Sequence, residues 1–219
     1  MSWIRPLMLA WTLWMPAAIA QTADITATVQ DPKGRPLADA VVVALPVNGN
    51  YHLDDRLPQA IVDQVDKEFV PRVIAVAAGT PVIFPNHDNV RHHVYSFSPA
   101  KRFELPLYQG VPAKPIVFDT PGIVVLGCNI HDWMVGYVYV SESPYFAKTG
   151  NDGKARLVGV PPGGYVVRVW HPQLAGAQEA TRKSLEVTRG RAAEVAWTLD
   201  LKPEVRVRRA PVPERGTRY

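Results

Sequence analysis

Apolar positions in this chain come in short runs, and most of them alternate. "ITATVQ" places Ile25, Ala27 and Val29 on one side and threonines on the other, the period of a half-buried strand. "DPKG" then reads as a turn, with Pro32 second and Gly34 fourth. "ADAVVVALP" predicts a second strand, and "RVIAVAAGTPVIFPN" two more around Gly79. "PIVFDTPGIVVLGCN" and "MVGYVYVS" predict three strands, with Pro121-Gly122 as a turn among them. "TGNDGKARLVGV", "GGYVVRVW", "SLEVTRG" and "EVAWTLDL" complete the set, the last with Val195, Trp197, Leu199 and Leu201 on one face. No stretch keeps a 3.6-residue apolar period over three turns. Many short strands at this spacing predict an all-β chain of antiparallel sandwiches.

The first twenty residues break the pattern. "MSWIRPLMLAWTLWMPAAIA" begins with Arg5, runs apolar from Pro6 to Met15 and ends in Ala18-Ile19-Ala20. A positive start, a short apolar stretch and a small-x-small end describe a secretory signal peptide, residues 1–20, and predict a periplasmic protein. The apolar run is short for a bilayer span, so no stable membrane insertion is expected after cleavage. Removing it takes away Arg5 and no acid, so the formal charge falls from +4 to +3. Much of that excess lies in the tail, 202–219, which contains "RVRRAPVPERGTRY" and reads as a poorly ordered basic end. An exported protein rarely meets nucleic acid, and no nucleic-acid partner is expected.

Chemistry concentrates in "GCNIHDWMVG". Cys128 is the only cysteine of the chain, so it has no intramolecular disulfide partner. A buried inert thiol, an intermolecular bridge and a metal ligand remain open for it. Met134 is the one methionine beyond residue 20. Cys128, His131 and Met134 form Cys-x-x-His-x-x-Met; by random placement both offsets would arise roughly once in several thousand chains. Thiolate and imidazole bind copper well, and a thioether adds a soft, weak donor. Blue-copper sites use two His and one Cys, with a distant Met. The second His must come from a separate strand end upstream, and "FPNHDNVRHHVYSF" offers His92 just after a turn-forming segment. The remaining histidines carry plainer readings. His52 is a solvated loop residue, His87 a polar loop residue near Asp88, and His171 a strand-end residue.

Residues 57–142 resemble a cupredoxin of the plastocyanin and amicyanin type. The likeness runs through "FVPRVIAVAAGTPVIFPNHDNVRHHV" and "FDTPGIVVLGCNIHDWMVGYVYV". The family's "N-x-D-x-x-x-H" segment is filled by Asn86, Asp88 and His92, and its "F-x-x-PG" turn by Phe118, Pro121 and Gly122. The resemblance implies a Greek-key β-sandwich holding one copper ion, Cu(I) or Cu(II), on His92, Cys128, His131 and Met134. His93 stands where plastocyanin-like members carry Asn, and is an alternative ligand to His92. Asn86 and His93 are expected to brace the ligands. Gly127 stands where an aromatic usually precedes the Cys, and Asp132 and Trp133 follow His131 where amicyanin has Pro. Trp133 is a candidate docking residue or a core residue.

The two ends of the chain resemble the two halves of a carboxypeptidase-regulatory-like (transthyretin-like) domain. "ITATVQDPKGRPLADAVVVALP" matches its opening, and "NDGKARLVGVPPGGYVVRVWHP" its later part. The resemblance implies an Ig/transthyretin-like β-sandwich, 22–50 plus 143–201, interrupted by the cupredoxin. Surface loops tolerate long insertions at small entropic cost. The two-part layout and the "CNIHDWM" core are also similar to methylamine utilization proteins. The family implies an electron carrier rather than an enzyme, with a c-type cytochrome or periplasmic dehydrogenase as partner. The chain lacks the His-x-His pairs of multicopper enzymes. A copper chaperone or storage protein, and a carbohydrate-binding-like structural module with a vestigial copper site, are the alternative readings.

Overall fold

A computed structural model describes residues 22–49, 51–53 and 56–203. Residues 1–20, expected from sequence to be a signal peptide, and all but the first two residues of the basic tail lie outside the described residues. The N-terminal strands are β1 (Ala23–Gln30) and β2 (Val41–Pro46). Next come β3 (Ala60–Ile61), β4 (Asp63–Val65), β5 (Glu68–Val70), β6 (Val73–Ala77) and β7 (Thr80–Ile83). The middle of the chain forms β8 (His92–Ser98), β9 (Lys101–Tyr108), β10 (Ile116–Phe118), β11 (Gly122–Gly127) and β12 (Val135–Ser141). It closes with β13 (Phe146–Lys148), β14 (Lys154–Val160), β15 (Gly163–Trp170), β16 (Lys183–Val187) and β17 (Ala193–Thr198).

The strands assemble as the sheets β14-β1-β17, β13-β2-β15-β16, β6-β12-β11-β8-β9 and β10-β7-β3, with β4-β5 as a separate hairpin. The first two sheets enclose one core, built from residues 23–44 and 155–199, including Ile25, Val29, Leu157, Val167 and Trp197. The next two enclose a second core, built from residues 62–140, including Phe84, Phe118, Leu126, Cys128 and Met134. The chain's first two strands therefore hydrogen-bond to its last strands, across everything between.

Side chains alternate between the faces of a strand, and here that period sorts residues between cores. On β2, Val42 and Ala44 enter the first core, while Val41 and Val43 face outward from it. On β12, Val138 and Val140 enter the second core, while Tyr139 faces away from it. The outward set, Val41, Val43, Val73, Tyr139 and Trp170, packs together as a third apolar layer between the two cores. That is why "AVVVAL" reads as an unbroken apolar run: both faces of β2 are covered.

The sequence pattern misses β9, whose burial alternates only between partial and exposed. It pairs with β8 alone, an edge position where Pro106 costs no ladder bond to a second neighbour. The strands β3, β4 and β5 have two or three residues each, too few to show a period.

Candidate metal centre

Strand parity decides what each half of His92-His93 can reach. The two residues open β8, where neighbouring side chains point to opposite faces. His92 is fully buried and faces the second core. Its Nδ1 lies 3.9 Å from the Cys128 Sγ. His93 faces the other side, where its Nε2 lies 2.8 Å from the Glu104 carboxylate. The His93 Nδ1 is buried without a hydrogen-bond partner.

Cys128 follows β11 directly and is 3% exposed, which removes it from intermolecular disulfide chemistry in the folded chain. His131 Nδ1 also lies 3.9 Å from the Cys128 Sγ. The ligating atoms of His92, Cys128 and His131 lie within 4.8 Å of one another, a cluster capable of holding a metal ion. A three-coordinate first-row ion gives a check on the fit. With sulfur at about 2.3 Å and nitrogen at about 2.0 Å, planar 120° geometry separates S from N by about 3.7 Å. Both observed separations fall close to that value. One thiol and two imidazoles form the donor set that suits copper or zinc.

The loop from Cys128 to Met134 is closed by its own backbone: the Met134 N–H donates to the His131 carbonyl at 2.9 Å. Met134 is 1% exposed and packs in the same core as Cys128. Trp133 is half-buried, with its ring centroid 5.1 Å from that of His131 and its Nε1 buried without a partner. Asn86 directs its side-chain hydrogen bonds to the surrounding loops. It is 2% exposed and ties loops together, donating to the carbonyls of Val90 and Tyr108 and accepting the Asp88 N–H. His87 pairs with Asp63 at 2.7 Å rather than with its neighbour Asp88. His52 is exposed, and His171 is buried and accepts the Gln173 N–H.

The electrostatics suit cation binding by neutral imidazole. Burial pushes the His131 pKa down, and His92 and Lys67 push it further. Burial alone would raise the Asp88 carboxyl, but the Lys67 N–H, the His92 ring and the Asp66 N–H hold it below its usual range. Tyr108, beneath the site, is pushed up to about 12, chiefly by burial.

Gly127 has a packing reason. A Cβ there would lie 2.8 Å from the Tyr95 Cζ, because the Tyr95 ring crosses the main chain at its ladder partner. The aromatic ring that covers Gly127 thus comes from the adjacent strand. The sequence motif includes Asp88 but assigns it no role; its spacing from His92 is visible in the chain, its direction is not.

No protein-family model matches the chain, and no curated protein does. Solved structures do. A purple cupredoxin from Nitrosopumilus maritimus is 27% identical, over 38% of this chain and 98% of that one, with a TM-score of 0.33. A reduced Cu(I) form of a mutant amicyanin is 21% identical, over 39% and 85%, with a TM-score of 0.35. A Cu-containing nitrite reductase from Thermus scotoductus is 27% identical, over 54% and 28%, with a TM-score of 0.37. Likenesses at these TM-scores carry no functional argument, and the donor geometry stands by itself. Among the described residues, no helix is long and apolar enough to cross a membrane.

Proposed function

We propose that the chain is an exported type 1 copper protein that carries single electrons between periplasmic redox partners. The observation that supports this is the placing of two imidazole Nδ1 atoms, each 3.9 Å from one buried thiol sulfur. On this reading His92, Cys128 and His131 hold the ion, and Met134 adds a weak thioether from the same core. The bound copper would supply a one-electron couple, Cu(I)/Cu(II), and no bond-making chemistry. The protein's own part is to present preformed donors. Cys128 gives up its proton on binding. Cys128 shares its core with the buried side chains of Phe84, Leu126 and Met134, surroundings that hold little water. His131 is only partly buried, so the electron's exit lies there, with Trp133 beside it. The partner is a soluble redox protein such as a c-type cytochrome or a periplasmic dehydrogenase.

The two cores correspond on this reading to two domains. Residues 57–142 form a cupredoxin sandwich, and 22–50 with 143–201 form a carboxypeptidase-regulatory-like sandwich around it. The outer sandwich braces the copper domain through the shared apolar layer.

Titrating the purified chain with Cu(II) tests the reading. The expected result is an intense visible thiolate-to-copper band at one ion per chain and a reversible one-electron wave. A colourless, electrochemically silent protein that still binds Cu(I) supports a chaperone instead. His93 gives a sharper check on the ligand assignment. His93→Phe is expected to keep copper affinity within about twofold, with a stability change under about 1.5 kcal/mol from the lost hydrogen bond. His92→Phe is expected to lose the band. Competition titration against a chromophoric chelator reads both.

A further inference from the structure

His92 is held from both ends. Its Nδ1 faces the Cys128 sulfur, and its Nε2 lies 2.6 Å from the Asp88 Oδ2. The imidazole is fully buried, and the Asp88 side chain is 11% exposed. A carboxylate can only accept, so the hydrogen sits on Nε2 and the Nδ1 lone pair is free to point at the donor cluster. Asp88 is itself fixed from several directions. Its Oδ1 accepts the Asp66 N–H at 2.7 Å, and its Oδ2 accepts the Lys67 N–H at 2.8 Å. Its own N–H donates to Asn86 Oδ1 at 3.0 Å, and its carbonyl accepts from Gln109 Nε2 at 3.0 Å. Asp66 and Lys67 have φ of 53° and 61°, the two positive values of a type I′ turn joining β4 to β5. The tip of that hairpin is therefore clamped onto the same carboxylate that grips His92.

We propose that Asp88 is a positioning residue for the metal centre: it locks the ring orientation and tautomer of His92 and lends negative charge that strengthens Nδ1 as a donor. The inference rests on the copper reading above and deepens it. Carboxylate-backed imidazole is a stronger donor, and removal of such a partner generally weakens metal binding ten- to hundredfold. A stronger anionic donor set favours Cu(II) over Cu(I), so Asp88 lowers the reduction potential.

Asp88→Asn is the test. Cu(II) affinity is expected to fall ten- to hundredfold, Cu(I) affinity by less, and the potential to rise about 59 mV for each decade of difference. Circular dichroism verifies that the variant is folded. A clamp that only held the hairpin would lower the melting temperature and leave the ratio of Cu(II) to Cu(I) affinity unchanged, and that result overturns the proposal. A metal-free measurement separates this failure from failure of the copper reading. In the apo protein, the His92 ring N–H is expected as a downfield, slowly exchanging proton resonance that disappears in Asp88→Ala. If the parent chain binds no copper, the function reading falls, while the resonance still decides the pairing. A parent with no protected ring proton overturns the positioning role.

Discussion

Cys128→Ser is expected to abolish the visible band of the copper-loaded chain and to weaken Cu(I) binding at least about a thousandfold, on the order of 4 kcal/mol. On the proposed copper reading the Cys128 thiolate would be the one anionic ligand and a soft donor, and Cu(I) selects for softness. A serine hydroxyl keeps its proton at neutral pH and cannot replace it. The substitution is nearly isosteric, and Cys128 is 3% exposed, so the main structural penalty is a buried hydroxyl. That costs about 1–3 kcal/mol if it finds no partner, small enough for the chain to remain folded. Folding and binding can then be read separately, by circular dichroism and by Cu(I) competition titration. A folded Ser variant with the parent's Cu(I) affinity would sink the assignment, because Cys128 would then be an ordinary core thiol.

The reason this cluster was legible from sequence is that one short loop carries most of it. Two short spacings suffice to place Cys128, His131 and Met134 in one tight connection between β11 and β12. The choice between His92 and His93 was not legible. They are adjacent, and only pleat parity separates them. That parity depends on the register of β8 against β11, fixed where Tyr95 pairs with Gly127. Register is a tertiary fact, set by which face of β8 is buried. The role of Asp88 was hidden for a similar reason. Four residues separate it from His92, yet the contact depends on the path of a loop stapled to a distant hairpin.

Strand pattern showed a different limit. Alternation located β1, β6, β7, β11 and β15, because one face of each is firmly buried. It passed over β9, where charged Lys101, Arg102 and Glu104 occupy an edge. Charged side chains are what keep an exposed edge from pairing with other chains, and the same charges erase the apolar signal. The double burial of β2 was visible only as a continuous apolar run. Whether such a run is covered on both faces by one partner or by two cannot be read from it. Here the first core covers one face and the apolar layer between the cores covers the other, and that arrangement makes a second prediction.

Trp170→Ala is expected to destabilise the chain by about 3–5 kcal/mol, the usual cost of truncating a buried Trp. Trp170 is 7% exposed and sits in neither main core. Its ring lies 5.7 Å from that of Tyr137 and 5.8 Å from that of Tyr139, both on β12. It comes from β15, whose Val167 and Val169 serve the other core. The cavity left by truncation would therefore open between the two sandwiches, leaving the packing inside each intact. Loss of that layer removes what makes the two cores unfold together, so the denaturant curve is expected to separate into two transitions. Cys128 and Met134 lie in the core that Val138 and Val140 enter from the opposite face of β12, and copper affinity is expected to stay within about twofold. Urea unfolding followed by tryptophan fluorescence and by the copper band distinguishes the transitions. A single transition shifted by less than about 1 kcal/mol would show that the aromatic layer does not couple the cores. Loss of copper from the still-folded variant would show that the brace reaches the ligands through β12, and that the outer sandwich is part of the site's own support.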